Sequence, residues 1–96
     1  MDPKFMSAAQ DISTRLHHIE AEYHGAALGA FLVLEKYDAE TARIAVETFN
    51  DRDNAALWFS RHVGSLEGKL PWDHLAIGDV NRVQWVLNAI SHGLPP

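Results

Sequence analysis

No cysteine occurs in the 96 residues, so the chain has no disulfide framework, no thiol nucleophile and no thiolate metal site. Basic residues are sparse: eight Lys and Arg stand against thirteen Asp and Glu, for a net charge of −5. Lys4, Arg15, Lys36, Arg43, Arg52, Arg61, Lys69 and Arg82 are scattered and form no stripe. That argues against nonspecific nucleic-acid binding, which needs clustered cations to neutralise phosphates. Long apolar runs are missing as well. The longest, Ala26 to Leu34, contains Gly29 and falls far short of the ~20 residues a membrane span requires. Met1 to Gln10 lacks the apolar centre of a signal peptide, and a cytoplasmic location is expected. No alternation of apolar and polar residues points to strands, and there is no internal repeat or low-complexity segment.

What remains is 47% hydrophobic and 22% charged, the balance of a globular chain. A chain of this length makes one domain, whose stability depends on tight packing or on a partner. Residues 1–6 carry an acid and a proline ahead of Met6 and read as a tag remnant or unstructured start. Residues 7–96 then form a single domain, expected to be all-α with four main helices and one short helical turn.

The clearest local signals lie between Asn54 and Gly93. Gly78 ends one segment, and Asp79 can cap the next with its carboxylate. Val80, Val83, Val86, Leu87 and Ile90 then recur at steps of three and four, which places them on one helical face. Arg82, Gln84, Asn88 and Ser91 fill other positions, and Trp85 beside the stripe is the tryptophan expected to be partly exposed. His92 can meet the last carbonyls, Gly93 can take the left-handed conformation that closes a helix, and Pro95 and Pro96 cannot extend it. Upstream, the Leu70-Pro71 step breaks the chain and starts a short turn from Pro71 to Ala76. Asp51 or Asp53 can cap a helix through Ala55, Ala56, Leu57, Trp58 and Phe59.

The order Trp58, Leu66, Gly68, Pro71, Leu75, Gly78, Val83, Leu87, Ile90 and Gly93 resembles the toxin-binding domain of the Xre/MbcA/ParS-like antitoxins. The likeness runs over the last half of the chain, residues 50–96, and consists of spaced apolar, glycine and proline positions. It implies an antitoxin that is not an enzyme and needs no cofactor. Its partner would be a RES-type toxin that consumes NAD, neutralised by covering the active site with the C-terminal helix and tail. The positions so implied are Arg82, Trp85, Asn88, Ala89, Ser91, His92, Gly93, Leu94 and Pro95. Members of that family usually carry a helix-turn-helix unit first. Residues 7–49 here do not supply one, because a single long, acidic pattern replaces two short helices with a basic second member. Direct DNA binding is therefore not expected.

From Ser7 to Tyr37, Ile12, Leu16, Ile19, Tyr23, Ala26, Ala30, Val33 and Tyr37 alternate at steps of four and three, a heptad seam. Gly25 and Gly29 lie where the seam narrows to alanine, so a kink near His24 and Gly25, or close approach of another helix, is expected. Two readings stay open: the seam packs inside its own domain, or it pairs with a second copy in a homodimer. The second belongs to an alternative function, a helical dimerisation or regulatory module that binds some other protein. Asp38 can cap a second helix with Ala39, Ala42, Ala45, Val46 and Phe49 as its apolar face.

Other constellations are weaker. His17, Glu20 and His24 share one side of a helix and include zinc-ligand types, but solvent-facing polar residues flanking the seam explain them more simply. Asp73 and His74 with Ser91 and His92 contain the residue types of a triad without a nucleophile elbow. No metal site and no catalytic site are expected.

Overall fold

The computed structural model describes residues 2–96 and is all-α: α1 (Pro3–Tyr37), α2 (Ala39–Phe49), α3 (Arg52–Phe59), a 3-10 turn (Gly64–Leu66), α4 (Pro71–Ala76) and α5 (Val80–Ser91). Among the described residues no strand forms; one isolated antiparallel bridge joins Val63 and Lys69 across the 3-10 turn.

Local chemistry sets the helix ends. Asp38 caps α2 by accepting the Thr41 N–H at 3.2 Å and the Thr41 hydroxyl at 2.6 Å, which satisfies a donor the first turn leaves open. Asp51 caps α3 through the Asp53 N–H at 3.1 Å. Between them Asn50 takes the left-handed conformation, φ 52°, which asparagine tolerates better than most residues. Pro71 opens α4, where its missing N–H costs nothing, and Asp73 accepts the Leu70 N–H at 2.9 Å.

The core is built around aromatic rings on α1 and α3. Phe59 is fully buried, with ring centroids 6.0 Å from Phe31, 5.0 Å from Trp58 and 6.2 Å from Trp72. Trp58 in turn meets Phe49 of α2 at 5.8 Å. Ala42 and Ala45 of α2, Ala55 and Ala56 of α3, Leu66, and Val83, Val86 and Leu87 of α5 complete the core. Small residues on α2 and α3 let those helices approach while the large rings fill the space between layers.

Three features of α1 depart from the sequence reading. The helix begins at Pro3, with Asp2 capping through the Lys4 N–H at 2.9 Å, and so includes residues set aside above. It is unbroken through Gly25 and Gly29, where a side chain would meet nothing within 4 Å. Most consequentially, the seam does not pack inside the domain. The buried face is Ala27, Phe31 and Leu34, each one residue beyond a seam position, while Ile12, Leu16, Ile19, Tyr23, Val33 and Tyr37 are exposed. One residue along a helix is a rotation of about 100°, so the two faces are separate.

Glu35 on α1 and Arg52 at the start of α3 form a two-point ion pair, Nε to Oε2 at 3.1 Å and Nη2 to Oε1 at 2.6 Å. The Arg52 hydrogen bond holds the Glu35 carboxyl below its ordinary value, against a smaller opposing effect of burial. A depressed carboxyl contributes stability above its unfolded value and loses it as pH falls through the folded value. Glu35→Gln should therefore flatten the decline in melting temperature below the usual glutamate pKa of about 4.3. Both side chains are more than a third exposed, so the change is small and shrinks further in salt. A Tm-against-pH series on both proteins checks it; parallel acid limbs would refute the assignment.

Candidate partner-binding face

α5 is fixed to the domain along one side. Val83, Val86 and Leu87 are fully buried, and Ile90 packs partly against them. Two polar cross-links to α2 set its rotation: Gln84 Nε2 donates to the buried Thr41 hydroxyl at 2.9 Å, and Ser91 Oγ lies 3.2 Å from Thr48 Oγ1. The face turned away carries Asn81, Trp85, Asn88 and His92, at steps of four, three and four, all exposed. This stripe holds no lysine, arginine or carboxylate. Trp85 at its centre is 62% exposed, a large apolar group of the kind that anchors protein interfaces.

The end of α5 is closed by two backbone bonds around Gly93, φ 109°. The Gly93 N–H donates to Ile90 O at 3.1 Å and the Leu94 N–H to Ala89 O at 3.0 Å, the Schellman pattern. Gly78 ends α4 in the same way, with Gly78 N–H to Leu75 O at 3.0 Å and Asp79 N–H to His74 O at 2.9 Å. His92 Nδ1 lies 2.8 Å from Asn88 O, so the ring covers the last turn. The chain end meets the body: Arg61 Nη2 donates to Pro96 O at 3.1 Å, and Pro96 lines a hollow with Phe49, Leu57 and Trp58. A tail held at one end by a single exposed hydrogen bond is placed rather than locked.

The implied contact residues divide. Trp85, Asn88, His92, Gly93, Leu94 and Pro95 are exposed, and Ala89 is partly so. Ser91 is exposed too, but its hydroxyl is engaged with Thr48 and the Leu87 carbonyl. Arg82 turns inward, where Nη2 donates to Ser65 O at 2.9 Å and Glu67 Oε1 at 2.8 Å. It braces the 3-10 loop against α5, with 39% of its side chain still exposed. Glu67, in the left-handed conformation with φ 56°, also faces His74 Nε2 at 3.9 Å. Two exposed residues escaped the sequence reading: Asn81, which the steps back from Trp85 and Asn88 would have placed, and Ile77, 77% exposed in the turn before α5. The sequence offers no signal for Ile77, since an isoleucine between helices is ordinarily expected inside.

Asp79 is a correction. Its carboxylate makes no cap bond to α5; Oδ2 lies 3.3 Å from Nδ1 of the buried His74. The imidazole, delivered by the preceding helix, competes for the carboxylate and wins it.

The weaker constellations do not assemble. Asp73 is engaged as a cap, His74 with Asp79, Ser91 with Thr48, and His92 with the Asn88 carbonyl. His17 and Glu20 stand exposed on α1, while His24 Nε2 lies 3.6 Å from Asp53 Oδ2 of α3. Among the described residues no group of three or more His, Asp or Glu is placed to hold a metal, and no helix is long and apolar enough to cross a membrane. Compared with known proteins, the chain matches no family model, no curated protein and no solved structure.

Proposed function

We propose that this chain is an antitoxin-like protein that binds and neutralises a RES-type NAD-consuming toxin, without catalysis of its own, through the outer face of α5 and the tail after Gly93. One observation carries the reading: Trp85 stands exposed on a helix whose rotation and end are fixed by buried valines, two cross-links to α2 and the Gly93 closure. A rigid face presenting an aromatic anchor loses little conformational entropy on docking, so more of its contact energy appears as affinity. The uncharged stripe removes the desolvation cost that a lysine- or glutamate-rich face would carry into an interface. The same end of the chain is where the resemblance locates toxin contact. To enter a cleft the tail would give up the Arg61 hydrogen bond to Pro96 O.

Co-expression with a RES-type toxin tests this. The full chain should restore growth and cellular NAD, while a chain truncated after Ser91 should do neither yet still bind through Trp85. If the full chain fails to bind or rescue, the antitoxin reading is wrong. If the truncated chain rescues fully, the face binds but the tail does not block.

A further inference from the structure

We propose that the exposed stripe of α1 is a self-association surface whose occupant is the same stripe of a second copy of this chain. The proposal is independent of the antitoxin reading, because it concerns residues of α1 and none of α5 or the tail.

The stripe has heptad spacing: Phe5, Ile12, Leu16 and Ile19 on the overhang are 55–62% exposed, and beyond it come Tyr23, 44% exposed with its hydroxyl donating to Ser60 O of its own body, and Val33 and Tyr37 at 51% and 77%. None of these positions belongs to the buried face of its own domain, which uses Ala27, Phe31 and Leu34. In a parallel pair these seven side chains offer on the order of 700 Å² per chain, close to the ~800 Å² per partner of a stable interface. An ordinary monomer does not carry a continuous apolar band of that size.

Charge names the occupant. Every residue from Pro3 to Glu22 is exposed, so this part of α1 overhangs the body. With Ile12 and Ile19 at d and Leu16 and Tyr23 at a, Arg15 and Glu22 flank one side of the seam and Glu20 the other. In a parallel pair Arg15 faces Glu20 of the other copy, and in an antiparallel pair with Leu16 opposite Ile19 it faces Glu22. Either orientation therefore joins unlike charges, twice by symmetry. Arg15 makes no ion pair among the described residues. Helices in proteins draw most of their stability from packing of an apolar face rather than from propensity, and pairing supplies the packing this overhang lacks.

Sedimentation velocity on the full chain at about 1–100 µM protein, which brackets micromolar dissociation constants, should show conversion from the 10.7 kDa monomer to a species of twice that mass. Helicity by circular dichroism should rise over the same range. Leu16→Glu with Ile19→Glu should stay monomeric while keeping the cooperative unfolding of the body, since neither side chain reaches the core. Arg15→Glu should raise the dissociation constant several-fold, and adding Glu20→Arg and Glu22→Arg should bring it back. A wild-type chain that stays monomeric at the highest concentration overturns the proposal. So does a dimer that survives the double glutamate substitution, because its interface lies elsewhere.

Discussion

Phe59→Ala is expected to destabilise the domain by about 3–5 kcal/mol, the cost of emptying a buried aromatic site. A domain of this size has only about 5–15 kcal/mol in total, so the variant sits near the edge of folding. The ring touches three others from three elements: Phe31 on α1, Trp58 on α3 and Trp72 on α4. Its removal leaves a void between layers that cannot close without moving α1 against α3. Urea unfolding followed by tryptophan fluorescence would register the loss, because Trp58 and Trp72 both report on that void. A change under about 1 kcal/mol would mean the site collapses freely, and the aromatic cluster would not be the keystone of the packing.

Trp85→Ala should do the reverse. With the side chain 62% exposed, stability should shift by no more than about 0.5 kcal/mol. Partner affinity, by contrast, should fall by at least about 30-fold, the equivalent of 2 kcal/mol for an interfacial hot spot. Asn88→Ala, on the same stripe, should cost less. Calorimetric titration against the proposed RES-type partner reads the affinity, and the unfolding midpoint confirms that the scaffold is intact. Equal affinity with and without the indole would move the binding surface off α5.

Elements whose ends are set by their own residues were legible in the sequence. Asp38 and Asp51 cap, Pro71 opens a helix, and Gly78 and Gly93 close helices, each through bonds to residues no more than five positions away. The failures are tertiary. Asp79 has every local reason to cap α5, yet His74 arrives from the preceding turn and takes its carboxylate. Arg82 lies on the polar side of α5, and no local signal shows that Glu67 and the Ser65 carbonyl meet it from the 3-10 loop. In α1, two apolar faces run side by side over the last turns, Ala26, Ala30 and Val33 beside Ala27, Phe31 and Leu34. Periodicity finds the longer one, and only the docking of α2 and α3 decides which is buried. The proposed binding face was harder still to read, since an interface differs from an ordinary surface mainly in which side chains are left uncovered.

The overhanging α1 also governs how the molecule moves through water. At 53 × 27 × 25 Å its radius of gyration is 16.6 Å, whereas a compact chain of this length would have about 12.5 Å. Drag follows shape as well as mass, so a single copy diffuses like a considerably heavier sphere. It also tumbles anisotropically, slowly end over end and faster about the α1 axis. Elution volume alone would overstate its mass, and a lateral pair, thicker but hardly longer, would elute only slightly ahead of the single chain.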